Sequence, residues 1–111
     1  MEQERRQVPR YPFIANADLV EERSDMRIAT RVSELSAGGC YLDMMNPLPV
    51  GTLVRVKISA GADFFEANAE IAYSLAQLGV GIRFIDVEPQ YREVLQRWLE
   101  KADKDRQKSL G

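Results

Sequence analysis

Three stretches of the chain alternate apolar and polar residues with a period of two, and that alternation narrows the fold more than any other feature of the sequence. In MRIATRVSE, Met26, Ile28, Thr30 and Val32 fall on one face and Arg27, Ala29 and Arg31 on the other. In LVRVKIS, Val54, Val56 and Ile58 oppose Arg55 and Lys57. FFEANAEIAYSL sets Phe65, Ala67, Ala69, Ile71 and Tyr73 against Glu66, Asn68 and Glu70. Successive side chains of a strand point to opposite faces, so each stretch reads as a β-strand with one buried face.

Shorter runs complete the set: FIANADLVEE before these, CYLDMM after the Gly38-Gly39 pair, and GVGIRFI near the end. The segments ERSD, NPLPVGT and GAD carry the glycine, proline and small polar residues of turns and loops. Six strands at the roughly 8–12-residue spacing of antiparallel sheet proteins predict an all-β domain, a small barrel or sandwich. With 111 residues the chain has material for one core and one domain.

The two ends read differently from the middle. In residues 88–104, Tyr91, Val94, Leu95, Trp98, Leu99 and Ala102 recur at helical spacing, which predicts one amphipathic helix packed on the sheet or over an open end of a barrel. Pro89 suits its first turn, and Asp86 or Glu88 can serve the unpaired amides there. Residues 105–111 read as a frayed tail. Residues 1–12 are polar and hold Arg5, Arg6 and Arg10, with Pro9 and Pro12 opposing regular structure, so they read as a flexible arm ahead of a barrel over 13–85.

Charge and composition exclude several functions. The net charge is −2, against the basic excess expected of a general nucleic-acid or membrane binder, so the arginines of the arm are a local feature. A barrel that binds RNA or single-stranded DNA would need a basic stripe with exposed aromatics. The chain has no histidine, which removes Ser-His and Cys-His nucleophile pairs and histidine zinc sites, and no metal-ligand cluster stands out. Catalysis therefore ranks last. The single cysteine, Cys40, rules out an internal disulfide, fits a reducing compartment and reads as a small core residue. No apolar run approaches the ~20 residues of a membrane span and no signal segment opens the chain, so the expected location is the cytoplasm.

The residues that carry chemistry lie in the arm and in SELSAGGCYLD. Glu34 and Ser36 are two apart on an extended chain and so share a face, while Gly38 and Gly39 permit a tight turn with exposed amides. A carboxylate accepts paired hydrogen bonds from the N1–H and N2–H₂ of guanine. Arginine donates in pairs to guanine O6/N7 or to phosphate. An anionic guanine nucleotide fits between two such groups.

On these residues the chain resembles the PilZ domain family. Arg6-Gln7-Val8-Pro9-Arg10 fits the family's RxxxR motif, and Ser36-Ala37-Gly38-Gly39 fits the SxxG part of its (D/N)xSxxG motif. GVGIRF, from Gly79 to Phe84, is similar to a late strand of the family, which a helix follows. The resemblance implies a six-stranded antiparallel PilZ-type β-barrel that is a receptor for cyclic di-GMP, with no other cofactor. It implies that Arg6 and Arg10 contact phosphate and the guanine O6/N7 edge, with Arg5 assisting, and that Ser36 and Gly39 lie against the ligand. Glu34 stands where the family has Asp or Asn, with the same functional group on a side chain one methylene longer. Two readings follow from that departure. One is a stand-alone adaptor that binds cyclic di-GMP and passes the signal to a protein partner or through a change of oligomeric state such as a homodimer. The other is a barrel that no longer binds it and serves as an interaction module in a motility, adhesion or secretion complex.

Overall fold

The computed structural model describes residues 8–110. Six strands and one helix follow in chain order: β1 (Arg10–Glu21), β2 (Arg27–Ser36), β3 (Gly39–Asp43), β4 (Leu53–Ala60), β5 (Asp63–Leu75), β6 (Gly79–Asp86) and α1 (Pro89–Leu110). All pairings are antiparallel and the sheet closes on itself in the order β1-β2-β3-β6-β5-β4. The expected six-stranded antiparallel barrel with a C-terminal helix is the observed fold.

The period-two pattern sets what fills the barrel. Leu19, Val32, Leu42, Val56, Ile58 and Ile71 are fully inaccessible to solvent, each from a position that the alternation sends inward. Burial of a side chain of this size contributes about 1.5–3 kcal/mol, so this interior dominates the stability of the domain. Helix α1 packs on β1 and β5 and closes one end, with Trp98 against Phe13 and Phe65 at ring-centroid distances of 5.2 and 6.5 Å. Val94, Leu95 and Trp98 are its buried stripe. The backbone carbonyl of Glu88 accepts the amides of Tyr91 and Arg92 at the helix start.

Four boundaries and faces differ from those read in the sequence. Strand β1 starts at Arg10, inside the expected arm, even though Pro12 lies within it. Arg10, Tyr11, Pro12 and Ala15 pair with β2 alone, because β4 joins β1 only from Asn16 onward. Pro12 thus sits where no second neighbour asks for its missing N–H, next to a register shift between Pro12 and Ala15. Helix α1 continues to Leu110 where an end at residue 104 and a tail over 105–111 were expected. Near the expected end the Tyr11 hydroxyl of β1 donates to Asp103 at 3.1 Å, and from the extra turns Arg106 lies 5.1 Å from the Tyr11 ring centroid. Met26 precedes β2 and is exposed rather than part of its inner face. Tyr73 is also turned outward, by a register shift between Ile71 and Tyr73 against β6.

Among the described residues no helix is long and apolar enough to cross a membrane.

Candidate functional site

The register of β1 on β2 brings the two sequence motifs together. Arg10 pairs with Ser36 and Pro12 with Glu34, so the last arginine of the arm lies directly across from the serine–glycine segment. The Arg10 guanidinium stands 3.8 Å from the Glu34 carboxylate, with 63 and 43 % of the two side chains exposed. An exposed pair of this kind is worth under about 1 kcal/mol, so a stronger anion displaces the carboxylate at little cost.

Across β2 the turn to β3 is held by its backbone. The Ser36 hydroxyl donates to the Gly39 carbonyl at 3.2 Å, and the amide of Phe84 donates to the Gly38 carbonyl at 2.8 Å. Gly39 is buried against β6, where an added Cβ would stand 2.0 Å from the Ile82 carbonyl oxygen. No side chain fits at that position. Gly38, one residue earlier, has nothing within 4 Å of the same point.

These residues line a cleft of about 380 Å³ on the outside of the barrel. Arg10, Glu34, Ser36 and Gly39 are all part of it, and Val8 borders it on the arm side. Arg5 and Arg6 lie outside the described residues. Three further side chains form the far wall: Tyr41 on β3, Tyr73 on β5 and Arg83 on β6. Arg83 reads from the sequence as an ordinary outer-face arginine. In the structure it is exposed on the outer face as expected, ion-paired with Glu70 and across from Gly39 in the β3–β6 register. Tyr73 reads as a core residue, because the alternation gives no sign of the register shift that reverses its face.

The signal that marks the two tyrosines is the Gly79-x-Gly81 spacing on β6. Gly81 pairs with both Tyr41 and Tyr73, and a Cβ there would meet the Tyr73 ring at 2.2 Å. A Cβ on Gly79 would come within 2.8 Å of the Tyr41 hydroxyl. Glycine in a strand marks such a close approach, and at Gly79 the Leu42 carbonyl oxygen, 2.1 Å from an added Cβ, excludes a side chain as well. The Tyr41 and Tyr73 rings stand 6.3 Å apart between centroids with 29° between their planes. Burial, together with the neighbouring Tyr73 and Asp43, raises the Tyr41 phenol above its ordinary value, so it stays a neutral hydroxyl at physiological pH.

Cys40 points the other way, into the core, and burial pushes its thiol far above the usual range. It is no nucleophile. Among the described residues no group of His, Cys, Asp or Glu is arranged to hold a metal ion. The cleft therefore offers a cation that can leave its carboxylate, an acceptor pair at Glu34, a hydroxyl at Ser36, close backbone access at Gly39 and an aromatic wall.

The comparisons with known proteins agree with this architecture. The model of the PilZ domain family matches residues 4–101. The PilZ domain of YcgR from Escherichia coli, solved with c-di-GMP, has a TM-score of 0.73 at 16 % identity, covering 96 % of this chain and 97 % of that one. The PilZ domain of CeSA from a cellulose-synthesizing bacterium has a TM-score of 0.67 at 20 % identity, covering 86 % of this chain and 98 % of that one. MotI/DgrA, an inhibitor of motility from Bacillus subtilis, has a TM-score of 0.75 at 14 % identity; 89 % of this chain matches 51 % of that one. At these identities the likenesses are of fold. No curated protein matches the sequence at a significant level.

Proposed function

The chain belongs to the PilZ domain family, and on that premise we propose that its outer cleft binds cyclic di-GMP and that the domain is a receptor, not an enzyme. The observation that carries this reading is the pairing of Arg10 with Ser36 and of Pro12 with Glu34, which unites the arginine motif and the serine–glycine motif in one cleft. Cyclic di-GMP presents two phosphates and two guanines. Arg10, with Arg6 and Arg5 of the arm, takes phosphate oxygens and the O6/N7 edge of guanine through charge-assisted pairs of hydrogen bonds. Glu34 accepts the N1–H and N2–H₂ of a guanine, Ser36 hydrogen-bonds beside it, and Gly39 lets the ligand approach the backbone.

Binding exchanges one partner for another. Before the ligand arrives, Arg10 leans on Glu34. Phosphate draws the arginine away and frees the carboxylate for the base, so a single displacement prepares both contacts. The arm and the start of β1 then reorganise around the nucleotide, and a protein partner that docks on this surface reads the change. A two-dimensional NMR titration tests the reading. Cyclic di-GMP is expected to shift the amides of residues 34–41 and of Gly81 to Arg83, and a spectrum unchanged at saturating ligand would overturn it.

The second reading, an interaction module that does not bind the nucleotide, draws on the same Arg10–Glu34 contact: a motif satisfied within the chain has less need of a ligand. The weakness of an exposed pair supports the receptor reading.

A further inference from the structure

We propose that the end of the barrel opposite α1 is an interface with a second copy of this chain, a contact of one surface with itself that makes the protein a homodimer. The inference does not depend on the nucleotide reading.

Helix α1 covers the end of the barrel where β1 and β5 begin, with Trp98 against Phe13 and Phe65. The opposite end is made by the β1–β2 turn (22–26), the β3–β4 connection (44–52) and the β5–β6 turn (76–78), and among the described residues no helix covers it. Six large apolar side chains are exposed there: Met26, Met45, Val50, Leu53, Leu75 and Leu78. Met45 is 72 % exposed and Val50 and Leu78 are each 63 % exposed, so the core makes little use of them. A group of this kind on one end of a domain marks an interaction surface.

Backbone hydrogen bonds fasten the three connections to one another. The Met44 amide donates to the Leu78 carbonyl at 2.9 Å, which sets Met45 beside the β5–β6 turn. The Gly51 amide donates to the Ile71 carbonyl at 2.8 Å and the Ile71 amide to the Thr52 carbonyl at 2.9 Å, so the segment that carries Val50 runs along the last part of β5. The Ser74 hydroxyl donates to the Leu48 carbonyl at 2.6 Å. The Glu22 amide donates to the Leu53 carbonyl at 3.1 Å and brings in the β1–β2 turn. A surface held in this way has little ordering left to lose on association.

Charge selects the occupant. Residues 44–54 and 71–82 contain no Asp, Glu, Lys or Arg, in a chain of which 29 % is charged. Such an end carries no charge pattern for a different partner to complement, and it meets its own copy without like-charge repulsion. The charges of this end are in the β1–β2 turn, Glu22, Arg23 and Asp25, along one edge. A twofold axis parallel to that edge places the turns of the two copies on opposite rims, where both stay in water. Homodimer interfaces are the more apolar class, and methionine adapts to an irregular partner surface. The three connections, with Leu53 and Leu75, come close to the lower end of the about 20–30 residues that each side of a standard interface holds. The Ser36–Gly39 turn lies at the α1 end, so the dimer forms with or without a nucleotide in the cleft.

Sedimentation velocity of the wild-type protein, Met45→Glu and Val50→Glu tests the assignment. The wild type is expected to sediment with twice the mass of one chain. Each glutamate sets a charge into an apolar contact and against its own copy, and is expected to weaken the dimer about tenfold or more, leaving a monomer at the same concentration. Both replaced side chains are exposed, so circular dichroism is expected to give the thermal midpoint of a folded chain in each variant. In wild-type NMR spectra, dilution is expected to shift the amides of residues 44–53 and 75–79 and to leave those of the β4–β5 turn, at the α1 end, in place. A wild type that sediments as a monomer at several hundred micromolar, a dimer that persists in both variants, or dilution shifts confined to other residues would overturn the interface.

Discussion

The Arg10 guanidinium and the Glu34 carboxylate meet at 3.8 Å across the β1–β2 pair, which sets the arginine motif beside the strand end that leads into the serine–glycine turn. Residues of two sequence motifs more than twenty positions apart therefore line one cleft. The consequences can be measured residue by residue.

In the proposed complex Glu34 accepts two hydrogen bonds from one guanine edge. Glu34→Gln replaces one acceptor oxygen by a donor and is expected to weaken cyclic di-GMP binding about tenfold, the effect of one charged hydrogen bond lost. Glu34→Asp keeps both acceptors and is expected to bind at least as well as the wild type. Equal affinities for all three proteins, measured by calorimetry, would remove Glu34 from the site.

Gly39 and Gly38 separate packing from turn chemistry. A methyl group at Gly39 runs into the Ile82 carbonyl, whereas one at Gly38 meets nothing within 4 Å. Gly39→Ala is expected to cost about 1–3 kcal/mol, the usual cost of overpacking, and to lower the thermal midpoint by several degrees. Gly38→Ala should leave the midpoint where it is. Thermal denaturation followed by circular dichroism compares the two.

Cys40 is buried and its thiolate is strongly disfavoured. The native protein at pH 8 is expected to resist a thiol reagent that labels the same protein in denaturant within minutes. Rapid labelling of the folded chain would show that β3 opens readily.

The phenols of Tyr11 and Tyr41 are both raised, Tyr11 by burial and by its hydrogen bond to Asp103, Tyr41 by burial and by Tyr73 and Asp43. Below pH 10 they are neutral in the folded and unfolded chain alike, and their contribution to stability is complete. Above pH 10 the unfolded chain ionises first, so stability falls as pH rises through the higher folded-state values. Urea midpoints between pH 8 and 12 should be level and then decline, and the decline should be shallower in Tyr41→Phe.

Much of this was readable in the sequence because alternation is a local property. Val54, Val56, Ile58, Phe65 and Ile71 are where a period of two sends them, and the helix stripe of Val94, Leu95 and Trp98 follows its own period. Arg10, Glu34, Ser36 and Gly39 were legible through the motifs that hold them, and the structure brings them into one cleft. What was not legible depends on pairings between distant strands. Tyr73 leaves the core through a register shift that no pattern within β5 reveals. Strand β1 tolerates Pro12 because β4 does not reach that far, a fact of the closed barrel rather than of the arm. Arg106, in the turns of α1 beyond residue 104, lies over the ring of Tyr11, a contact across ninety-five positions that helical periodicity does not reveal.

The most direct test of the account is calorimetric titration of the wild-type protein and Arg10→Ala with cyclic di-GMP, with cyclic di-AMP as the control ligand. The account predicts saturable binding of cyclic di-GMP by the wild type, a loss of about tenfold or more in Arg10→Ala, as expected for a charged contact to phosphate or guanine, and no comparable binding of cyclic di-AMP, whose adenines lack the edge that Glu34 accepts. No heat from the wild type, or equal affinity in Arg10→Ala, would contradict it.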